Sequence, residues 1–374
     1  MQHWVKSGII GYGIGCAGHR TMREPQITVG PDLVKLIAEI DEFKGRWEAL
    51  KTLAPDRLNA LRKVATIESI GSSTRIEGAK LTDAEVEDLL SQALSIKSFK
   101  TRDEQEVAGY AEAMDLVFEA FEDMRLTENH IRQLHQNLLR HSPKDERHRG
   151  SYKTLSNNVV AFDADGREIG VVFETTAPFD TPREMEALVA WARKAIDEEA
   201  LHPLLVIAVF VVTFLAIHPF QDGNGRLSRV LTTLLLLRAG YAYVPYASLE
   251  RVIEENKDFY YKALRRTQTT LKGDAPDWQP WVGFFLRCLK KQKDALAARL
   301  ERERIEAAGD ADLPDLSLQV LKALGSGKRL TIAQLADITQ ANRNTLKVRL
   351  RDLVQAGRIR QHGKARATWY SASV

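Results

Sequence analysis

The sequence predicts a mainly α-helical protein that contains one β-hairpin and ends in a separate, basic module of mixed α and β structure. Two observations support this fold class. Apolar residues recur at helical spacing through most of the chain, as Leu33, Leu36, Ile37 and Ile40 do. The segment from Leu313 to Val374 holds 11 Lys and Arg against 3 Asp and Glu, whereas the whole chain has a net charge of only +3. This imbalance indicates that the segment is a domain of its own.

The composition is that of an ordinary globular protein and excludes a disordered chain. Of the 374 residues, 44% are hydrophobic and 28% are charged. Cys16 and Cys288 are too few for a disulfide framework or a four-thiolate zinc site, so we expect a reducing, cytoplasmic location. The longest apolar run, from Leu204 to Ile217, has 14 residues, whereas a membrane-spanning helix needs about 20. We therefore expect a buried helix there and no membrane partner.

Several further elements follow from local patterns. Helical spacing of apolar residues recurs from Leu58 to Ile67, from Val107 to Phe121 and from Ile131 to Leu139. A strand pair is indicated by the alternating segments Val159 to Phe162 and Ile169 to Phe173. Asp165 and Gly166 lie between these strands, and such a pair tolerates the positive φ angles of a tight turn. The sequence therefore predicts a β-hairpin at this point.

A glycine-rich loop between two apolar helices gives the clearest functional signal. The first helix is expected to end at His218, because a proline follows and disfavours helical geometry before it. The second helix begins near Asn224, and Gly223 and Gly225 allow backbone N–H groups to approach a ligand closely. Unpaired amides and the helix dipole both favour an anion at such a position. We predict a phosphate site here.

Charged side chains beside this loop extend the prediction. Arg226 and Arg229 are three positions apart, so they share one helix face and can bind successive phosphoryl groups. Asp222 suits Mg²⁺, which prefers one or two carboxylates together with phosphate oxygens. His218 can accept a proton near neutral pH. An isolated histidine at a helix end would more often be structural, but the surrounding motif favours the functional interpretation.

The stretch from His218 to Arg229 resembles the signature of Fic-domain proteins, His-Pro-Phe-x-[Asp/Glu]-Gly-Asn-Gly-Arg-x-x-Arg, at every specified position. The resemblance extends from about Ala54 to Leu289 and implies a Fic-type helical bundle. It also implies transfer of AMP from ATP to a protein hydroxyl with release of pyrophosphate. In that reaction His218 would deprotonate the Ser, Thr or Tyr of the target, and Asp222 would bind Mg²⁺. Other transferred groups, namely phosphocholine, UMP or phosphate, remain an alternative.

The resemblance also assigns nucleotide contacts. These residues are Gly223, Asn224, Gly225, Arg226, Arg229, Asn256, Tyr260 and Tyr261. The first three would hold the phosphate chain and the two arginines its β and γ ends, while the last three are expected near adenosine. Tyr260 and Tyr261 could equally be core aromatics.

The hairpin lies where Fic proteins have a flap that docks the target by strand addition. A purely structural hairpin is the alternative. Lys153, Asn157 and Asn158 depart from the usual flap pattern and leave its register open.

A second element that resembles this family lies upstream. The residues from Ser73 to Gly78 resemble the inhibitory motif [Ser/Thr]-x-x-x-Glu-[Gly/Asn] of Fic proteins. The resemblance implies that Glu77 pairs with Arg229 and prevents a productive ATP pose. An ordinary helix end with Gly78 as its stop is the alternative. The family also allows Glu77 to position water for removal of AMP from a modified protein. The sequence does not decide between AMP addition and AMP removal.

The basic C-terminal segment looks like a winged helix-turn-helix domain. Its predicted helices are Leu318 to Leu324, Ile332 to Ile338 and Asn344 to Val354, and a two-stranded wing is expected from Ile359 to Tyr370 around Gly363. In the third helix, the residues expected to face the core are Leu346, Leu350, Leu353 and Val354. Those available for DNA are Arg343, Asn344, Lys347 and Arg351, with Arg358, Arg360, Lys364 and Arg366 in the wing. A wing that binds protein, or forms a dimer, and never meets DNA is the alternative.

Together these patterns predict five parts. They are a disordered extension (1–26), an N-terminal helical region with the inhibitory motif (27–124), a Fic catalytic core (125–289), a connecting helix and linker (290–312) and a winged helix-turn-helix domain (313–374). We expect an autoinhibited adenylyltransferase that forms a homodimer and modifies another protein. The alternative is a DNA-binding regulator whose Fic core senses nucleotide or modifies only itself.

Overall fold

A computed structural model describes residues 22, 24–50, 55–92, 99–162, 168–310, 313–325, 328–363 and 368–373. The chain divides into two compact units, Met1–Leu296 and Ala297–Val374. Most of the predicted extension, the turn residues Asp165 and Gly166, and the wing residues Lys364 and Arg366 lie outside the described residues.

The first unit is built mainly from helices, as the periodicity predicts. They are α1 (Pro31–Leu50), α2 (Pro55–Ile76), α3 (Asp83–Gln92), α4 (Arg102–Ala120), α5 (Glu128–Leu138), α6 (Thr181–Asp197), α7 (Pro203–Ile217), α8 (Asn224–Arg238), α9 (Leu249–Glu255), α10 (Lys257–Gln268) and the part of α11 (Gln279–Asp310) up to Leu296. Gly309 and Asp310, which the sequence analysis places in a linker, belong to α11, because a run of strong helix formers precedes them.

The apolar helix α7 forms the centre of this unit. Nearly all of its residues are buried, and it packs against α6 and α8. A helix that is apolar on every side is stable only when other elements surround it. Pro203 begins α7, where its missing N–H and fixed φ angle are tolerated. The prediction of a buried helix is confirmed, and no helix in the described ranges has the length and apolar character needed to cross a membrane.

The predicted strand pair is also present. Strands β1 (Val159–Phe162) and β2 (Glu168–Phe173) are antiparallel, with Val159 opposite Phe173 and Phe162 opposite Glu168. The register shifts twice along the pair, which indicates β-bulges. In the chain both strands lie between α5 and α6. The segment before β1 contacts the end of α7, because Lys153 donates to the Ile217 carbonyl and Asn157 to the His218 carbonyl.

The second unit folds around its own small core. Its elements are α12 (Asp315–Leu324), β3 (Leu330–Thr331), α13 (Ile332–Thr339), α14 (Arg343–Gln355), β4 (Ile359–His362) and β5 (Trp369–Ala372). The strands form an antiparallel sheet in the order β3-β5-β4. Leu346, Leu350 and Leu353 of α14 are buried, and Val354 packs against the same cluster. The three predicted helices are present, whereas the two-residue strand β3 is too short for a pattern to reveal.

Close packing between α4 and α5 depends on a glycine. A Cβ atom added at Gly109 of α4 would collide with the backbone carbonyl of Leu138 in α5. Backbone cannot move aside as a flexible side chain can, so a larger residue must separate the two helices. Since α5 also contacts α8, this spacing helps to position the start of α8.

We expect Gly109→Ala to lower the free energy of unfolding by about 1–3 kcal/mol, because it overpacks this contact. Gly45 is the matched control, since it lies within α1 and a Cβ there meets nothing within 4 Å. Gly45→Ala should raise the free energy of unfolding by about 0.5–1 kcal/mol through helix propensity. Urea denaturation of both variants measures the two effects, and equal effects would contradict this account of the packing.

Candidate active site

The loop from His218 to Gly223 joins α7 to α8 and is held by a buried amide. Asn224 Oδ1 accepts the Phe220 N–H at 2.9 Å, and Asn224 Nδ2 donates to the Phe220 carbonyl at 2.7 Å. Gly223 has a φ angle of 78° and precedes α8 without a side chain that could cap it. The amide of Asn224 therefore fixes the loop shape, and the first amides of α8 are left for a ligand.

His218 ends α7 in the left-handed conformation, with a φ angle of 52°. Its ring Nδ1 lies 3.2 Å from the carbonyl of Leu215. Because a carbonyl only accepts hydrogen bonds, Nδ1 carries the proton and Nε2 keeps its lone pair. Burial lowers the pKa of His218 from 6.5 to about 4. The imidazole is therefore neutral at pH 7 and can act as a base.

The base of the strand pair is fastened to the same loop. Asn157 Nδ2 donates to the carbonyls of His218 and Phe220, at 3.1 and 2.6 Å. The buried Lys153 donates to the Ile217 carbonyl at 3.0 Å and to Thr175 Oγ1 at 2.9 Å. Burial lowers the pKa of Lys153 to about 8. In the sequence these two residues are only departures from the flap pattern, whereas in the structure they tie the strands to the loop.

Sequence reasoning missed His135 of α5, which packs against the loop from His218 to Gly223. Its ring stacks on Phe220 with the centroids 3.8 Å apart. Nδ1 accepts the Gly150 N–H at 2.8 Å, so Nε2 carries the proton and donates to the Asp222 carbonyl at 3.0 Å. Burial lowers the pKa of His135 to about 4. No local pattern distinguishes this histidine from an ordinary core residue, because its partners are distant in sequence.

Asp222 stands among cationic side chains. Its Oδ2 accepts from Arg102 Nη2 at 2.6 Å, and its Oδ1 accepts the Gly223 N–H at 2.6 Å and lies 3.5 Å from Arg226 Nη2. Burial alone would raise the pKa of Asp222, but Arg226, the Gly223 amide and Arg102 together lower it. Arg226 itself is buried, with Nη1 3.3 Å from Glu106 Oε2 of α4. Neither Arg102 nor Glu106 is identifiable from the sequence motif.

Arg229 is buried and bonded to the C-terminal end of α2. It donates from Nε to Ser73 Oγ at 2.8 Å and from Nη2 to the Ser73 carbonyl at 2.9 Å. Nη2 also donates to Glu77 Oε1 at 2.7 Å, so the pair predicted from the sequence is present. Burial opposes the charge, while Glu77 raises the pKa of Arg229. Gly78 has a φ angle of 108° and follows the end of α2.

Glu77 also lies directly against the glycine-rich loop. A Cβ atom at Gly225 would collide with Glu77 Oε1. The carboxylate thus occupies the space beside the first turn of α8, where the sequence predicts phosphate. Arg226 Nε and Arg229 Nη1 are buried donors that have no hydrogen-bond partner among the described residues. Since buried donors are normally hydrogen-bonded, these two atoms are suited to an anionic ligand.

The three predicted adenosine contacts have different surroundings. Tyr260 is buried and packs edge-on against Trp281, with ring centroids 5.8 Å apart, so it has the core position that the sequence left open. Tyr261 is partly exposed and its hydroxyl lies 3.4 Å from the Ile76 carbonyl. Asn256 Nδ2 donates to the Val252 carbonyl at 2.7 Å. Their contact with adenosine stays a prediction.

A family match and solved structures of similar fold include the loop and helices described above. Residues 125–236 match the model of the Fic/DOC family. A Fic family protein from Desulfovibrio desulfuricans has a crystal structure with a TM-score of 0.60 and 26% identity, over 93% of this chain and 98% of that one. The chain therefore contains a Fic/DOC domain.

Other relatives show how far the similarity reaches. Curated proteins named protein adenylyltransferase Fic, from Nematostella vectensis and Drosophila mojavensis, are 25% and 26% identical over 269 residues. These matches cover 71% and 70% of this chain but 56% and 48% of the relatives, so the chain spans about half their length. A Fic domain-containing signaling protein from Bacteroides thetaiotaomicron shares the fold at a TM-score of 0.57 and 23% identity, over 70% of this chain and 97% of that one.

The matched Fic domain contains only part of the site. His135, Lys153 and His218 lie within residues 125–236, as do Asp222, Arg226 and Arg229. Ser73, Glu77 and Arg102, however, come from helices before the Fic domain. The surroundings of both arginines are therefore completed by residues outside the matched family region.

A measured pKa of His218 tests whether its ring is buried and neutral, as the structure indicates. Because its pKa is lowered to about 4, the ring should stay neutral at pH 5 and become protonated only near pH 4. The unfolded chain takes up this proton near pH 6.5, so the contribution to stability is complete above that pH and is lost as pH falls towards 4. NMR titration of ¹³C-labelled histidine, assigned with His218→Gln, measures the midpoint. A midpoint near 6.5 would contradict the buried, neutral ring.

Proposed function

We propose that the chain is an autoinhibited protein adenylyltransferase, which transfers AMP from ATP to a Ser, Thr or Tyr hydroxyl of a protein. The observation that carries the proposal is the position of a neutral imidazole, His218, beside a loop whose two buried arginines each keep a donor without a partner among the described residues, Arg226 Nε and Arg229 Nη1. The similarity to proteins named protein adenylyltransferase Fic supports ATP as the substrate. Removal of AMP by the same site is the second direction, in which water positioned by Glu77 attacks the phosphorus of the modified side chain, the hydroxyl of the target is restored and AMP is released.

In the proposed reaction, His218 Nε2 takes the proton of the target hydroxyl. The hydroxyl oxygen then forms a bond to the α-phosphorus of ATP, the bond to the β-phosphate oxygen breaks, and pyrophosphate leaves. The Gly225 amide and the guanidinium groups of Arg226 and Arg229 bind the phosphate chain, and the Gly223 amide joins them when it leaves Asp222 Oδ1. Since the loop backbone is already fixed by Asn224, the backbone donors need little rearrangement when charge moves to the leaving group.

A divalent cation fits Asp222, although the protein alone offers few ligands. The described residues contain no group of three or more His, Cys, Asp or Glu that could hold a metal ion. Asp222 is a partly exposed carboxylate with a lowered pKa beside the proposed phosphate site. Mg²⁺ is commonly bound by one or two carboxylates plus phosphate oxygens. Bound there, it would neutralise negative charge on the phosphates, and we propose Asp222 as its protein ligand.

We propose that Glu77 inhibits by occupying Arg229. Its carboxylate accepts from Arg229 Nη2 and fills the space next to Gly225, so a phosphate group cannot use either. The side chain of Glu77 is 34% exposed and that of Arg229 is 4% exposed. The glutamate can therefore leave into solvent, whereas the arginine stays and requires another anion. Arg75 pairs with Glu254 of α9 at 2.7 Å and helps to hold this end of α2.

We expect Glu77→Gly to increase incorporation of labelled AMP from ATP by about tenfold or more, because a competing pair of about 1.4 kcal/mol is removed. Intact-protein mass spectrometry with cell lysate detects the adduct and identifies its target. Glu77→Gly with His218→Ala should be inactive. Equal labelling of the wild type and Glu77→Gly would contradict inhibition by Glu77.

A matched control tests whether the loss of any ion-paired glutamate in this region, or a new glycine there, would also raise AMP incorporation. Glu87 of α3 also forms an ion pair, with Lys63 at 2.6 Å, and belongs neither to the inhibitory motif nor to the loop from His218 to Arg229. Glu87→Gly should leave AMP incorporation at the wild-type level. Adducts on this chain alone would instead support the regulator whose Fic core modifies only itself.

We propose a second function, DNA binding, for residues 313–374. Their helices and three-stranded sheet have the element order of a winged helix-turn-helix domain, in which α14 is the recognition helix. Arg343, Asn344, Lys347 and Arg351 are exposed on α14, whereas its leucines Leu346, Leu350 and Leu353 are buried. Such a cationic face provides affinity for phosphates without fixing a sequence preference. A partner protein on the same face is the alternative.

Replacing Arg343, Lys347 and Arg351 together with Gln should weaken binding of the full chain to duplex DNA. The slope of log affinity against log salt should decrease by up to about three, one for each lost phosphate contact. Replacing three exposed cations of the first unit, Arg46, Lys144 and Arg147, is the control. Fluorescence anisotropy with labelled DNA measures both, and no binding at low salt would exclude this function.

A further inference from the structure

Arg102 is bonded to the carboxylate oxygen of Asp222 that the glycine-rich loop does not use. Its Nη2 donates to Asp222 Oδ2 at 2.6 Å, which is the short distance of a charge-assisted hydrogen bond. The other carboxylate oxygen is already used by the Gly223 amide and Arg226. Both oxygens of the proposed metal ligand are thus engaged by donors from this chain.

Arg102 has a second carboxylate partner within its own helix. Its Nε donates to Glu106 Oε1 at 2.8 Å, one turn along α4. The other oxygen of Glu106 lies 3.3 Å from Arg226 Nη1. Arg102 can therefore release Asp222 and keep a partner, whereas Arg226 remains held by Glu106.

The solvent exposure of Arg102 and Asp222 indicates that the ion pair between them can break. The side chain of Arg102 is 42% exposed and that of Asp222 is 37% exposed. Ion pairs at such exposure contribute little to stability, because water solvates both partners well. A guanidinium and a divalent cation cannot share Asp222 Oδ2, since like charges repel strongly at contact distance.

We propose that the Arg102 guanidinium competes with the divalent cation for Asp222. The cation must displace Arg102 from Asp222 Oδ2 when nucleotide binds. The inference rests on the proposed function, because it concerns the cation that accompanies ATP. Arg102 then sets the cation concentration at which nucleotide binds. It leaves the nucleotide-binding capacity at saturating cation unchanged.

The test measures cation binding rather than activity. Protein carrying Glu77→Gly is mixed with α,β-methylene ATP, and free Mn²⁺ is followed by electron paramagnetic resonance. Adding Arg102→Gln should lower the Mn²⁺ concentration for half-saturation by about three- to fivefold, the range expected for an exposed pair. Arg102→Lys keeps the charge and should stay close to the parent protein. The number of nucleotides bound at saturating Mn²⁺ should be the same in all variants.

Arg251 is a matched control. Its side chain is also 42% exposed, its Nε lies 3.2 Å from Glu255 one turn along α9, and its Nη1 lies 3.0 Å from Asp83 of α3. Arg251→Gln should leave Mn²⁺ binding unchanged.

An unchanged or higher Mn²⁺ requirement in Arg102→Gln would overturn the proposal, and so would an equal effect of Arg251→Gln. If no variant binds the nucleotide at any Mn²⁺ concentration, the proposed function fails and this inference fails with it. Nucleotide binding with unaltered Mn²⁺ dependence removes the inference alone.

Discussion

The buried positive charge of Arg229 is the constraint on which the rest of the site depends. A guanidinium that is removed from water needs acceptors, because an unpaired buried charge is strongly destabilising. Ser73, in the last turn of α2, supplies two acceptors, and Glu77, which directly follows α2, supplies the opposite charge. The arginine that suits a terminal phosphate therefore also holds the C-terminal end of α2 against α8.

Two arginines of α8 show two solutions to this constraint. Arg226 is paired with Glu106, whose side chain is 12% exposed, and that glutamate is held within α4. Arg229 is paired with Glu77, which extends from the last residues of α2 and is more exposed. The first pair fixes the direction of a guanidinium, whereas the second can be exchanged for another anion. Glu106 and Glu77 are the same kind of carboxylate. They differ in burial, which makes Glu106 structural and leaves Glu77 displaceable.

The sequence predicts those parts of the molecule that depend on local order. The helices, the strand pair and the loop from His218 to Arg229 follow from periodicity, Pro and Gly positions and a short motif. The contact of Glu77 with Arg229 spans 152 positions, and only resemblance to a family makes it predictable. His135, Arg102 and Glu106 were missed for the same reason, because each acts through a tertiary contact that leaves no local pattern. Tyr260 was ambiguous, since aromatic residues serve cores and ligands alike.

The backbone of the loop is more strongly fixed than the charges around it. Asn224, Asn157, Lys153 and His135 all bond to carbonyls or amides between Ile217 and Asp222, and each of the four is partly or fully buried. Loss of one bond leaves the others in place, so the loop keeps its shape when the charged groups exchange partners. The side chains that can exchange, Glu77 and Arg102, lie closer to solvent; Glu77 directly follows α2 and Arg102 begins α4. Control of this site is therefore best placed in the helices that precede the Fic domain, because their charges can move without disturbing the loop.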